Sequence, residues 1–229
     1  MTTPPPRSAP PMAVTPPVHA MHPETSSVSE GFDPRLSVMS VRPPIYPVST
    51  YCFASAAHAA HHFEVALGKA TQAPDESLGL IYARLNHPNA EMFEDSLRAV
   101  ERGAAAAAAF TSGMSAITTT VLTLAKPGQK VLYQRPVYGG TDHFFRHMLP
   151  EWKIDAVAVD EGAWPEALAA HAAELALVYL ETPANPTLAL TDLEGLARLA
   201  QARGVLTVAD NTFASPINQK PLAAGIDIV

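Results

Sequence analysis

The chain has 229 residues, 48% of them hydrophobic, a formal charge of −7 and a single cysteine. That length holds one large domain or two small ones, and a negative chain without a Lys/Arg cluster is a poor partner for nucleic acid, where affinity comes mostly from phosphate neutralisation. No apolar run approaches the roughly 20 residues of a membrane span and no continuous apolar leader core is present, so no membrane role and a cytoplasmic setting are expected.

Twelve of the 22 prolines fall within residues 1–50, which leaves few backbone donors there for helix or sheet. Residues 1–30 read as a mobile tail. Residues 31–52, with Pro43-Pro44-Ile45-Tyr46-Pro47, read as an extended arm whose apolar side chains must rest on this subunit or a neighbour. The expected division is therefore 1–50 for tail and arm and 51–229 for the folded domain. Cys52 lacks a disulfide partner and a neighbouring cation, so it reads as structural. His58, His61 and His62 have the spacing of a helical metal pair, but only Glu64 accompanies them in register. No metal site is expected, and the three read as the exposed face of an Ala-rich helix.

Met92, Leu97 and Val100 predict a helix ended by Gly103 as its C′ residue. Ala104–Phe110 is ambiguous, since alanine is the best helix former but the run is short and bounded; a buried strand is the reading adopted. Ser115–Leu124 is helical in pattern and closed by Lys126-Pro127-Gly128, after which Lys130–Tyr133 reads as a strand. Then follow a helix around 140–148, a strand at Ile154–Val159, a helix at Trp164–Ala172 and an apolar strand at Leu175–Leu180. A helix at Leu193–Ala202 stops near Gly204, Val205–Ala209 is another apolar strand, and Ile226–Val229 begins one more. Strands apolar on both faces belong in a mostly parallel sheet covered by helices on each side, an α/β fold. Ligands of such sheets sit at the carboxyl ends of the strands. That rule puts Thr111–Met114, Pro136–Gly140, Glu181–Thr187 and Asp210–Thr212 on one rim.

Phe110-Thr111-Ser112-Gly113-Met114-Ser115 leads into a helix whose free N–H groups and dipole suit a bound anion, though Ser/Thr caps and glycine turns are also common without one. Asp210 follows an apolar strand, where its charge calls for a cation such as a pyridinium nitrogen or else serves as the cap of a turn. The prolines of Glu181-Thr182-Pro183-Ala184-Asn185-Pro186-Thr187 stiffen a path that aims Asn185 into the rim. Tyr138-Gly139-Gly140 offers an aromatic face where glycines admit close approach. Neither GxGxxG nor GxxxxGK occurs, which disfavours a dinucleotide-dependent dehydrogenase or a P-loop enzyme.

Tyr82-Ala83-Arg84, Ser112-Gly113-Met114, Tyr138-Gly139-Gly140-Thr141, Glu181-Thr182-Pro183-Ala184-Asn185-Pro186 and Asp210-Asn211-Thr212 stand in the order and rough spacing of the Cys/Met-metabolism pyridoxal-5′-phosphate (PLP) enzymes. Residues 40–229 resemble the cystathionine γ-synthase, cystathionine γ-lyase and methionine γ-lyase group. The resemblance implies the large domain of a PLP-dependent aminotransferase type I-like fold, acting by γ-elimination or γ-replacement on a cystathionine-, homoserine-ester- or methionine-like amino acid. It also implies roles for particular residues. Ser112, Gly113 and Met114 would hold the cofactor phosphate, Tyr138 would stack on the ring and act as an acid, and Asn185 would sit near the ring hydroxyl. Asp210, followed by Thr212, would pair with the ring nitrogen, and Tyr82 and Arg84 would reach the partner subunit's phosphate in a dimer of dimers. The family's Schiff-base lysine matches none of Lys69, Lys126, Lys130, Lys153 or Lys220; Lys126 and Lys130, flanking a Pro-Gly turn, and Lys220, in a polar loop, read as solvated charges. It is expected after Val229, with the substrate-binding C-terminal domain, so the 229 residues alone are expected to bind PLP weakly and not to turn over. Gly140 stands where methionine-cleaving members typically carry cysteine. The alternative is a non-catalytic dimerisation or scaffold domain that kept the fold.

Overall fold

The computed structural model describes residues 22–73, 76 and 79–229, so the expectation of a mobile tail lies, for residues 1–21, outside the described residues. From Pro23 it is corrected. Pro23–Ser29 forms helix α1, with proline at the first turn, where its missing N–H leaves no bond unmade. The helix lies against α3 (Pro88–Val100), to which Ser96 Oγ fastens it by donating to Glu30 O at 2.8 Å. Gly31 has φ +81, and a Cβ there would stand 2.5 Å from Met92 O, so glycine is what lets the chain leave α1 this close to α3.

The arm makes a 3-10 turn at Pro34–Leu36 and a further turn with positive φ at Val38 and Met39, and has no helix or strand from Pro43 to Val48. Val38, Val41 and Ile45 are 96%, 92% and 86% exposed, so the support expected for them does not come from the described part of this subunit. What fixes the arm is polar. Asn89 Oδ1 accepts the Tyr46 N–H at 2.9 Å, Asn89 Nδ2 donates to Pro44 O at 2.8 Å, and the Thr50–Tyr82 bridge follows. Cys52 is exposed and therefore not a packing residue. In α2 (Ala56–Ala66) the histidines do not share one exposed face. His62 is buried, its ring centroid 4.1 Å from that of His58 and 6.0 Å from that of Phe53. Gly79 closes over it, while His61 Nε2 meets Glu76 Oε1 at 2.7 Å. The tertiary return of the loop, invisible to helical periodicity, buries that side. Among the described residues no group of three or more His, Cys, Asp or Glu is arranged to hold a metal.

α3 starts earlier than its apolar spacing predicts, because Pro88 occupies the first turn and the His87 side chain accepts from Asn89 N–H. It also stops sooner: Glu101 is the C-cap, and Gly103, with φ +94, lies two residues beyond. Ala104–Phe110 is neither strand nor helix, so the strand expectation is corrected; the tract makes no ladder bonds with any described strand. The sheet itself comprises β1 (Lys130–Gln134), β2 (Asp155–Val159), β3 (Leu175–Glu181) and β4 (Leu206–Asp210), all parallel, in the order β2-β1-β3-β4. Ile226–Val229 contributes only the bridge of Ile228 to Val208.

Successive strand residues point to opposite faces, and both faces are covered. Leu132, Val178 and Leu180 pack with α6 (Trp164–His171) and α7 (Leu193–Gln201). Tyr133, Tyr179 and Val208 pack with α4 (Gly113–Leu124) and with the segment that begins as α5 (Gly139–His143) and continues as a π-helix to Met148. Each fully buried side chain of this size contributes about 1.5–3 kcal/mol. Short helix α8 (Ser215–Asn218) follows β4. Lys220, expected to be solvated, is half-buried and donates from Nζ to Val100 O at 2.8 Å and Pro216 O at 2.6 Å, tying the end of α3 to α8. Phe145 is wholly buried between Tyr133 and Tyr179, with ring centroids 4.8 and 5.0 Å away. Phe145→Ala is expected to destabilise the protein by about 3–5 kcal/mol in urea unfolding, the range for a buried phenylalanine whose cavity does not close.

Candidate active site

The carboxyl ends of β1, β3 and β4 and the start of α4 meet at one rim. Ser112, Gly113, Met114, Tyr138, Asn185, Asp210 and Thr212, seven of the nine residues singled out in the sequence, line a single cavity of about 340 Å³ there. Tyr82 and Arg84 do not line it; the Arg84 guanidinium lies 5.8 Å from the Tyr82 ring centroid, and the ring is 39% exposed. A larger opening of about 950 Å³ adjoins it between the Ala104–Ala108 tract and β4, and shares Gly113, Asp210 and Thr212 with it.

Each wall has a local cause. Ser112 caps α4 in a reciprocal box: its Oγ accepts the Ser115 N–H at 3.1 Å and Ser115 Oγ accepts the Ser112 N–H at 3.2 Å. The N–H groups of Gly113 and Met114 then have no protein acceptor among the described residues, as is usual in the first turn of a helix, and with the positive end of the helix dipole behind them they suit an anion. Asp210 is the last residue of β4, not the residue after it, because it pairs in register with Glu181. Its Oδ1 accepts from Thr212 Oγ1 at 2.5 Å and Thr212 N–H at 3.0 Å, while Tyr179 O–H lies 3.4 Å from Oδ2. Burial, then the charge of Asp210, pushes the Tyr179 phenol well above the usual tyrosine range, so it stays a donor.

Glu181 was legible only as part of a loop motif, yet it lies in the same wall and is buried. Its Oε2 accepts the Tyr138 N–H at 2.8 Å and its Oε1 the Asn185 N–H at 2.6 Å. Burial raises its pKa, the two N–H bonds oppose that, and the neighbouring Asp210 charge adds to the rise. Tyr138, at the N-cap of α5, leaves 47% of its surface open. Its ring rests against Gly140, where a Cβ would come 2.6 Å from Tyr138 Cε1 and 3.2 Å from Met114 Sδ.

These walls offer a flat ring bearing a phosphate and a basic nitrogen what it needs: free helix-terminal N–H groups, an aromatic face and a carboxylate with an open side. Fold and site together define a PLP-binding α/β domain of the type I aminotransferase kind. The chain belongs to the family of Cys/Met metabolism PLP-dependent enzymes, whose sequence profile matches residues 24–229. It is 40% identical over 187 residues to L-methionine gamma-lyase of Fusobacterium nucleatum subsp. polymorphum, an alignment covering 81% of this chain and 45% of that protein. It is 34% identical over 207 residues to sulfhydrylase FUB7 of Fusarium oxysporum f. sp. lycopersici, covering 90% of this chain and 45% of that one. Among solved structures, metB from Corynebacterium glutamicum superposes with a TM-score of 0.77 at 30% identity, covering 92% of this chain and 50% of that chain. The chain thus spans about half the length of the relatives it matches. Among the described residues no helix is long and apolar enough to cross a membrane.

Gly140→Ala is expected to swing the Tyr138 ring away from Met114, because the 2.6 Å approach to Cε1 leaves no room for a methyl group. A crystal structure of the variant checks it, and a ring left in place would show that the glycine is not what sets its position.

Proposed function

We propose that this chain is the cofactor-binding part of a PLP-dependent enzyme of sulfur amino acid metabolism, carrying out γ-elimination or γ-replacement on a cystathionine-, homoserine-ester- or methionine-like substrate. The observation that carries the reading is the convergence of an anion-binding helix start, an aromatic face and an oriented carboxylate on one cavity. Gly113 and Met114 bind the phosphate through their N–H groups, and the Ser112 cap fixes that turn. Asp210, aligned by Thr212 and Tyr179, holds a proton on the ring nitrogen. Bound PLP supplies an electron sink for the charge left at the substrate's Cα. Tyr138, which lines the cavity, would cover one face of the bound ring, and its hydroxyl would supply the proton taken up by a group departing from Cγ. Asn185, in the same wall, would lie near the ring hydroxyl.

Tyr82 and Arg84, which do not line this subunit's cavity, are assigned to the phosphate of a second subunit, which a guanidinium binds through two parallel hydrogen bonds. The exposed Val38, Val41 and Ile45 of the arm suit the same contact, in a dimer and then a dimer of dimers. Similarity to a gamma-lyase and to a sulfhydrylase supports C–S chemistry in both directions; the glycine at 140 weighs against methionine cleavage. The reading keeps residues 1–50 as tail and arm, 51–229 as the cofactor domain, and a cytoplasmic setting.

The full-length protein is expected to take up PLP with a visible absorption band. Asp210→Asn is expected to weaken that uptake at least tenfold, the effect of removing a charged hydrogen bond of about 1.5–3 kcal/mol. Titration followed by absorbance and circular dichroism checks both, and wild-type protein without a band would overturn the proposal in favour of a scaffold domain.

A further inference from the structure

Glu181 touches both loops that frame the cavity. Tyr138 follows β1 and Asn185 follows β3, and among the described residues no other hydrogen bond joins residues 135–139 to residues 183–187. Glu181 is 4% exposed and stands opposite Asp210 in the β3–β4 register. A negative charge in that place is unfavourable, both by burial and by repulsion from its neighbour. Glutamine has the same shape and would avoid the repulsion. It has one acceptor oxygen, however, and its NH₂ would confront a backbone N–H, whereas a carboxylate accepts both.

We infer that Glu181 is a positioning residue of the reaction, whose carboxylate straps the backbone of Tyr138 to that of Asn185 so that the ring-covering face and the group facing the ring hydroxyl are held as one unit. The inference rests on reading the cavity as a PLP site. Its consequence is a division of labour along the rim. Gly113, Met114 and Asp210 make no hydrogen bond to Glu181, so the strap governs the pose of the ring more than its retention.

Two variants of the full-length protein test this. Glu181→Gln keeps size and loses one acceptor; Glu181→Asp keeps charge but is one methylene too short to reach both N–H groups. In the cofactor-free protein, amide exchange at Tyr138 or Asn185 should accelerate roughly tenfold or more in both variants, as for a lost charge-assisted bond, while amides of β1 and β3 keep their protection. With PLP added, the dissociation constant should change by less than about threefold, while the visible circular dichroism band weakens and kcat falls roughly tenfold or more at little-changed KM. Wild-type exchange at both amides with wild-type kcat would overturn the inference, as would a loss of protection spread evenly over the sheet. Wild-type protein that takes up no PLP would instead defeat the proposed function and leave the amide-exchange result to decide the strap.

Discussion

Two carboxylates end neighbouring parallel strands. Glu181 and Asp210 are register partners at the same edge of the sheet, and like charges side by side in a partly desolvated place are unfavourable unless donors meet them. The geometry of the rim follows from that requirement. Glu181 is met by two backbone N–H groups, which draws the Tyr138 and Asn185 loops toward it. Asp210 is met on one side by Thr212 and beneath by Tyr179, which leaves the opposite side for a cation. The negative edge therefore faces the positive start of α4 across the cavity, a field suited to a ligand carrying charge of both signs.

The packing below makes that arrangement rigid. Tyr179 is core and site at once: its ring meets Phe145 edge-on while its hydroxyl reaches Asp210. Phe145 in turn lies against Tyr133, on the strand whose continuation carries Tyr138. One aromatic stack thus supports two walls of the cavity, and side chains locked by packing hold polar groups more accurately than a loop does unaided.

The alternation of elements from β1 onward was legible because strands buried on both faces are written as short apolar runs, and helices as wider amphipathic patterns closed by Gly or Pro. The rim residues followed from that order, since parallel strands place their carboxyl ends together. Ala104–Phe110 was not legible, because a pure alanine run has no periodicity and its side chains are too small to show which face is buried. Pro23–Ser29, the burial of His62 and the carbonyl contacts of Lys220 escaped for another reason: each depends on a partner distant in sequence. Glu181 escaped most fully, since one of its partners is a backbone N–H 43 residues away and backbone groups leave no mark in residue types.

The fastening of the arm has a consequence for the lifetime of the protein. The Asn89 amide takes one N–H from the arm and gives one to it, so a single side chain imitates the edge of a neighbouring strand. Conversion of that amide to a carboxylate by slow deamidation would set oxygen against the Pro44 carbonyl and release the strap from α3. Chemical ageing at one side chain in the first turn of α3 would then loosen the hydrophobic arm while every wall of the cavity stayed intact.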